Sequence, residues 1–241
     1  MLTQKKVIEL QLSSPTPIIE LKTISKHFKV GKEKIELFKG LEFQCNENEF
    51  VVFTGPSGCG KTTILQIIAG LTRVDQGTVR VFDHNINDFN EESLALFRSS
   101  TIGLVFQLGH LIETLTVLEN ILLPVELAQR EEKDYEKRAW DLLEEFYMAH
   151  RAHSLPRMIS GGEYQRVAFI RALILDPQIL LVDEPTANQD ERTKAAIFQK
   201  LAQLKGEKTI LVVTHSRDIF PQADRIFVPE NLRLREKNGL S

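Results

Sequence analysis

The residues best suited to chemistry lie in a glycine-rich loop at positions 55–62. The loop reads Gly-Pro-Ser-Gly-Cys-Gly-Lys-Thr, which matches the pattern G-x-x-x-x-G-K-[ST]. Its glycines permit backbone angles that a Cβ atom would forbid, so main-chain N–H groups can turn towards phosphate oxygens. Lys61 adds a point charge for the β- and γ-phosphates, and the Thr62 hydroxyl is placed for Mg²⁺. The pattern predicts a nucleoside triphosphate site; a glycine-rich turn with a chance lysine is the alternative.

The elements around this loop must be a strand before it and a helix after it. Residues 50–54 are mostly β-branched or aromatic, and residues 62–69 can form a buried helix. A helix that begins near Gly60 offers free N–H groups and the positive end of its dipole to an anion. We predict that the following residues bind the phosphates: Gly55, Pro56, Ser57, Gly58, Cys59, Gly60, Lys61, Thr62 and Thr63.

Two adjacent carboxylates, Asp183 and Glu184, follow an apolar run at 179–182. Such a run is typical of a buried parallel strand, and open α/β sheets bind ligands at the carboxyl ends of their strands. We expect Asp183 to hold Mg²⁺. Glu184 would point elsewhere because strand side chains alternate, and it could act as the general base for an attacking water. The alternative is that two acidic residues simply begin a surface loop.

A third candidate segment is Ser160-Gly161-Gly162-Glu163. Serine followed three residues later by glutamate is a capping box, so the segment explains itself as the start of a helix. Two glycines are poor helix formers, however, and a plain cap does not need them. They would make sense if an anion approaches the backbone, with Ser160 and the glycine N–H groups contacting a terminal phosphate.

The bulk composition is that of an ordinary globular protein. The chain has 241 residues, of which 42% are hydrophobic and 26% charged, and its net charge of −3 gives no indication of nucleic-acid binding. Two cysteines, Cys45 and Cys59, favour free thiols in a reducing compartment. No window approaches the run of about 18 apolar residues that a membrane span requires. We therefore expect a soluble, cytoplasmic protein whose membrane role, if any, comes through a partner.

Residues 1–17 are interpreted as an N-terminal extension, with a possible short edge strand at Ile8, Leu10 and Leu12, and residues 18–241 as one domain. Repeated β-then-α order predicts an α/β fold with a mainly parallel sheet covered by helices on both faces. The predicted strands are 18–25, 34–38, 41–45, 50–54, 78–82, 102–106, 179–182, 209–214, 225–228 and 232–235. The predicted helices are 62–69, 94–98 after an Asn90 cap, 117–128 after a Thr116 capping box, 134–147, 161–175 and 191–204. Pro124 predicts a break or kink in the third of these helices.

Taken together, these motifs resemble the ABC-type ATPases, the nucleotide-binding subunits of ABC transporters. The Walker A loop at 55–62, the Ile-Ser-Gly-Gly-Glu signature at 159–163 and the Walker B strand with its glutamate at 179–184 stand in the order of that family. The signature is the discriminating part, because a phosphate loop alone occurs in many unrelated NTPases. The resemblance covers the chain from about residue 18 onwards. It implies a P-loop NTPase core, an antiparallel β subdomain and a helical signature-motif subdomain.

Four further residues correspond to smaller elements of the family. Gln107 resembles the Q-loop glutamine that touches Mg²⁺ and couples to a membrane partner, and Asp190 ends a segment that resembles the D-loop. His215 resembles the switch histidine that contacts the γ-phosphate, although a lone histidine is more often structural. Phe28 resembles the aromatic residue that stacks on adenine; a core or surface phenylalanine is equally plausible.

The family resemblance implies ATP and Mg²⁺ as ligands and a head-to-tail homodimer. In that arrangement Ser160, Gly161, Gly162 and Glu163 of one copy serve the nucleotide of the other. It also implies an integral membrane permease as partner, no nucleic acid, and a peripheral location on the inner face of the cell membrane. Competing interpretations are a soluble ABC ATPase in translation or DNA repair and a regulatory scaffold that binds ATP without hydrolysing it.

Within the family, residues 106–121 and 183–186 resemble the lipoprotein-releasing, macrolide-exporter and cell-division class. The chain departs from the usual pattern at Ile159, where leucine is common, and at Tyr164, where that class usually has glutamine. Gln189 stands in the D-loop where leucine is common. None of these departures replaces a predicted catalytic group, so ATP hydrolysis is still expected.

Overall fold

The computed structural model describes residues 17–237, apart from Lys32, Leu108 and Asn188. All but the last residue of the predicted extension 1–17, including the possible edge strand at Ile8, Leu10 and Leu12, therefore lies outside the described residues. The strands are β1 (Ile19–Val30), β2 (Glu33–Cys45), β3 (Phe50–Phe53), β4 (Gln76–Val81), β5 (His84–Asn85), β6 (Ile102–Val105), β7 (Ile179–Asp183), β8 (Thr209–Val213), β9 (Arg225–Glu230) and β10 (Arg233–Glu236). The helices are α1 (Lys61–Ile68), α2 (Glu91–Thr101), α3 (Val117–Leu127), α4 (Glu132–Glu145), α5 (Gly161–Leu173) and α6 (Glu191–Leu204).

The central sheet has the strand order β10-β9-β3-β8-β7-β6. Its strands are parallel except for β10, which pairs antiparallel with β9. Side chains alternate across this sheet, so Val182 and Val212 pack against α3, α5 and α6, whereas Leu181 and Leu211 pack on the α1 side. Both faces are therefore buried, which explains the continuous apolar runs of β7 and β8.

A second sheet, with the order β2-β1-β4-β5, is antiparallel and packs on the α1 side of the core. The two separate runs predicted at 34–38 and 41–45 are one continuous strand, β2. Gly40 joins them with φ +62°, a left-handed conformation that glycine adopts without strain. Its partner β1 is also longer than predicted and extends to Val30. Bulges and turn-favouring residues interrupt the strand pattern of the sequence, but the pairing between β1 and β2 continues past them.

Of the predicted break or kink at Pro124, the break is wrong, because α3 is continuous from Val117 to Leu127; a kink there stays a prediction. The predicted capping box is confirmed: Thr116 Oγ1 accepts from the N–H of Glu119, whose carboxylate accepts from the N–H of Thr116. The helix buries Val117, Ile121 and Val125 against the core. This tertiary packing stabilises the helix on both sides of the proline.

None of the helices in the described part of the chain combines the length and apolar character needed to cross a bilayer.

Candidate nucleotide site

The loop between β3 and α1 has the backbone that its glycines predict. Gly55, Gly58 and Gly60 have φ values of +137°, +79° and +101°. A Cβ atom on Gly60 would also lie 2.5 Å from Cζ of Phe38. Both conformation and space therefore require glycine at position 60, directly before the first residue of α1.

Lys61 lies inside the curve of this loop and is only 6% exposed. Its Nζ donates to the carbonyl oxygens of Gly55 and Pro56, each at 2.9 Å. It also lies 3.4 Å from Nε2 of His215. The structure therefore brings the predicted lysine and the predicted switch histidine together at the mouth of the loop.

The hydroxyl of Thr62 donates to Oδ1 of Asp183 at 3.1 Å, which joins the Walker A and Walker B segments. Asp183 is 5% exposed, and burial raises its pKa; the nearby charge of Glu184 acts in the same direction, whereas Thr62 and Lys61 oppose it. A hydroxyl and a carboxylate are hard oxygen ligands of the kind that Mg²⁺ prefers. Within the described residues no group of three or more histidine, cysteine or acidic side chains forms a separate metal cage. This donor set fits a Mg²⁺ ion that draws its other ligands from phosphates and water.

Glu184 follows the end of β7 in a left-handed conformation, with φ +45°. Its N–H donates to the Val213 carbonyl at 2.8 Å, and its side chain is 14% exposed. Oε2 accepts from the N–H of His215 at 3.3 Å. Oε1 is buried, finds no hydrogen-bond partner among the described residues, and lies 3.4 Å from Nε2 of His215. The sequence analysis expects the alternation of strand side chains to set the orientation of Glu184. The structure shows that a tight turn directly after β7 sets it instead.

Several of these groups line a cavity of about 590 Å³. The predicted residues Ser57, Gly58, Lys61, Thr62, Gln107, Glu184 and His215 line it, together with Thr186, Ala187, Lys194, Val213, Thr214 and Ser216. Sequence reasoning missed Lys194, which is paired at 2.7 Å with Glu191.

The signature segment forms the N-terminus of α5 and does not line this cavity. Its predicted capping box is confirmed: Ser160 Oγ accepts from the N–H of Glu163 at 3.3 Å, and Glu163 Oε2 accepts from the N–H of Ser160 at 2.7 Å. Arg151 Nε donates to Glu163 Oε1 at 3.1 Å. Burial of Glu163 acts to raise its pKa, but the hydrogen bonds from Ser160 and Arg151 outweigh burial and lower it. Ser160 itself is exposed.

The two signature glycines have different surroundings. A Cβ on Gly162 would overlap the Asp190 carboxylate and lie 2.5 Å from Oγ1 of Thr193, so packing within the chain already requires this glycine. A Cβ on Gly161 would have no described atom within 4 Å. Packing within the chain therefore explains why residue 162 is glycine but does not explain why residue 161 is glycine.

Asp190 and Phe28 do not line the cavity either, and the same holds for Gly55, Pro56, Cys59, Gly60, Thr63 and Asp183. Asp190 is the N-cap of α6, and its carboxylate accepts from the N–H and the hydroxyl of Thr193, both at 2.9 Å. These hydrogen bonds lower the pKa of Asp190. Phe28 lies on β1, is 40% exposed, and has the ammonium of Lys26 5.1 Å from its ring centroid. Their contacts with nucleotide stay predictions.

Comparison with known proteins identifies the group to which this chain belongs. The family model described as "ABC transporter" matches residues 38–187. The chain belongs to the ABC transporter family. The predicted family and fold class are confirmed, and the chain is an ABC-type ATPase.

Two named relatives of this ABC ATPase are similar to it over most of its length. It is 40% identical over 210 residues to the lipoprotein-releasing system ATP-binding protein LolD of Treponema pallidum, covering 86% of this chain and 93% of the relative. It is 36% identical to the macrolide export ATP-binding/permease protein MacB of Chlorobium luteolum, covering 89% of this chain but 32% of MacB.

Solved structures agree with these sequence matches. The ABC ATPase matches the dimeric structure of MJ0796, a bacterial ABC transporter cassette, with a TM-score of 0.86 and 37% identity, covering 91% of this chain and 98% of that one. A dimeric post-hydrolysis state of the same cassette, bound to ADP and Pi, also matches with a TM-score of 0.86 and 36% identity, covering the same shares of the two chains.

Proposed function

We propose that this ABC ATPase hydrolyses ATP in a Mg²⁺-dependent reaction and thereby powers a membrane partner that exports or extracts a substrate. The observation that carries the proposal is that Lys61, Thr62, Glu184 and His215 line one cavity, beside which Asp183 accepts a hydrogen bond from Thr62. We assign this activity to a single domain at residues 18–241.

In the proposed reaction the loop N–H groups and Lys61 bind the β- and γ-phosphates of ATP. Thr62, Asp183 and Gln107 would hold Mg²⁺, which when bound offsets the charge on the phosphate oxygens. Glu184 accepts a proton from the water that attacks the γ-phosphorus. The bond to the β-phosphate then breaks, and ADP and inorganic phosphate are the products.

His215 lies between the cation and the base. Its Nε2 is 3.4 Å from both Lys61 Nζ and Glu184 Oε1. A neutral Nε2 can accept from Lys61, whereas a protonated Nε2 can donate to Glu184 or to a phosphate oxygen. We propose that this ring contacts the γ-phosphate and holds Glu184 in position.

The second half of each nucleotide site comes, in this proposal, from another copy of the chain in a head-to-tail dimer. Ser160 and Gly161 are exposed and lie apart from the cavity, so they are available to such a copy. The dimeric form of the matching cassettes supports this arrangement.

The membrane partner is proposed from the relatives. One is named for lipoprotein release and another for macrolide export as an ATP-binding/permease protein. We propose a permease subunit of that class, and a peripheral location of the ATPase on the cytoplasmic face of the membrane.

A complementation experiment tests hydrolysis and dimer geometry together. Lys61→Ala should weaken ATP binding by about 100-fold or more, because the loop loses its only side-chain cation. Ser160→Ala should leave ATP binding to the single chain intact but abolish hydrolysis. A mixture of the two inactive variants should regain activity, since one mixed site combines an intact phosphate loop with an intact signature.

Lys200→Ala is a suitable control, because Lys200 lies on α6 and pairs with Glu145. ATP turnover by the mixture that does not exceed the sum of the two separate variants would contradict the head-to-tail site. Copurification from membranes with a permease tests the transport part of the proposal.

A further inference from the structure

The main chain on both sides of Gln107 is held by side chains of α5. Nε2 of Gln165 donates to the Phe106 carbonyl at 3.2 Å. On the other side, the N–H of Leu111 donates to the Tyr164 hydroxyl oxygen at 2.7 Å. Gln107, which lies between these two anchors, lines the nucleotide cavity.

Arg171 adds a third attachment to the same loop. Its guanidinium donates to the carbonyls of Gly109 and His110, at 2.6 and 2.9 Å. Tyr164, Ala168 and Arg171 repeat at i, i+4 and i+7, so they lie on one face of α5. The loop therefore rests along one side of the helix that begins with the signature.

The ring of Tyr164 also fixes the shape of the loop. Gly109 has φ +68°, and a Cβ there would lie 2.7 Å from Cε1 of Tyr164. The N–H of Gly109 donates to the Phe106 carbonyl at 3.0 Å, which closes a turn that contains Gln107. The ring covers one side of this turn, and the hydroxyl binds the chain immediately after it.

Tyr164 is also one turn from the signature serine, since its N–H donates to the Ser160 carbonyl at 2.8 Å. A rigid first helical turn therefore connects Ser160 to the group that binds Leu111.

We propose that Tyr164 is a positioning residue that fixes Gln107 in the nucleotide cavity and links its placement to the signature end of α5. The inference rests on the proposed role of Gln107 at the Mg²⁺–nucleotide complex. Tyr164 acts through the main chain at Gly109 and Leu111 and does not itself contact the nucleotide.

Hydrogen–deuterium exchange of the full-length protein without nucleotide tests the physical contact. Tyr164→Phe removes the acceptor of the Leu111 N–H but keeps the ring on Gly109. Exchange in a peptide that covers residues 109–115 should rise about fivefold or more, because that N–H loses its partner. Tyr135→Phe is the matched control, since Tyr135 is a partly buried tyrosine of α4 in the same helical layer.

A double-mutant cycle tests the functional link. Tyr164→Phe should lower kcat for ATP about fivefold with KM nearly unchanged, and Gln107→Ala should lower it further. In the Gln107→Ala background, Tyr164→Phe should change kcat by less than about twofold, because the group that it positions is gone.

Equal kcat losses from Tyr164→Phe in both backgrounds would overturn the inference, as would exchange and kcat indistinguishable from those of Tyr135→Phe. A normal kcat for Gln107→Ala alone would instead contradict the proposed role of Gln107. The two failures are therefore distinguishable.

Discussion

The phosphate loop and the signature segment each contain glycines and begin a helix. They differ in whether side chains of the same chain bind the first N–H groups of that helix. Gly60 caps α1 without any side-chain hydrogen bond, and the first turn of α1 contains no acidic residue. The N-terminus of α5 is capped by Ser160, has Glu163 in its first turn, and Glu163 is paired with Arg151. The helix dipole and free N–H groups of α1 are therefore available to an anion, whereas those of α5 are partly satisfied within the chain.

This difference indicates how the two segments are used. The α1 end supplies Lys61 and Thr62 to a cavity that Glu184 and His215 also line, and Thr62 donates to the carboxylate of Asp183. The α5 end is exposed and its first N–H groups are partly satisfied by the Ser160–Glu163 capping box, so it should bind an anion weakly by itself. We expect the α5 end to contact a phosphate only when that phosphate is already bound at the α1 end of a second copy.

The largest expected effect concerns the cavity half of the comparison. Glu184→Gln should lower kcat by about 100-fold or more while ATP binding is retained, because the general base is lost and the phosphate contacts remain. The ATP-bound variant should accumulate as a dimer in size-exclusion chromatography. Glu136→Gln, at an exposed position of α4, is the control. Hydrolysis by Glu184→Gln at the parental rate would show that the base lies elsewhere.

The second prediction separates the two signature glycines. Gly162→Ala should destabilise the fold by about 1–3 kcal/mol, because its Cβ overlaps Asp190 and Thr193. Gly161→Ala should leave the thermal midpoint unchanged or slightly higher, yet lower ATP turnover about tenfold by obstructing the backbone that faces the second copy. Thermal unfolding and ATPase assays on both variants measure this. Unaltered turnover in Gly161→Ala would remove the reason to place phosphate at α5.

The third prediction concerns stability in the cavity half. Burial raises the pKa of Asp183, so ionised Asp183 destabilises the folded protein at neutral pH. Asp183→Asn should raise the thermal midpoint of the nucleotide-free protein by about 2–4 °C at pH 7 and abolish Mg²⁺-dependent hydrolysis. The folded state holds its proton to a higher pH than the unfolded state does. The stability advantage should therefore shrink as pH falls through the raised pKa of Asp183. An equal or lower midpoint for the variant at pH 7 would contradict the raised pKa.

The smallest expected effect compares the two free cysteines. Cys59 is partly exposed in the phosphate loop, whereas Cys45 is buried and burial raises the pKa of its thiol. An alkylating reagent at neutral pH should modify Cys59 only, and ATP should slow that reaction severalfold. Mass spectrometry with and without ATP measures both sites. An alkylation rate of Cys59 that ATP does not change would argue against the proposed position of the phosphates.

Much of the fold was accessible from sequence because the informative contacts are local. Both capping boxes involve residues three apart, and the apolar runs at 179–182 and 209–214 mark strands buried on both faces. The length of β2 was not accessible, since Gly40 in its middle resembles a strand end when pairing with β1 is unknown. The continuity of α3 through Pro124 was likewise decided by the core against which it packs.

Some features of the site required the tertiary structure. Nothing in the sequence near Gly162 indicates that Asp190 and Thr193 cover it, and nothing near Tyr164 indicates Gly109 and Leu111 as its neighbours. These contacts join different elements of the fold, and sequence spacing carries no information about them.

The sequence by itself determined which chemical groups are present and how each is held locally. The glycine conformations of the phosphate loop, the helix starts and the carboxylates after β7 depend on neighbours within a few residues. The tertiary structure alone decided which groups meet. Thr62 and Asp183 are 121 residues apart, and Lys61 and His215 are 154 apart, yet the members of each pair are in contact at the start of α1. The parallel sheet is the physical reason, because it brings the carboxyl ends of β3, β7 and β8 to the same edge.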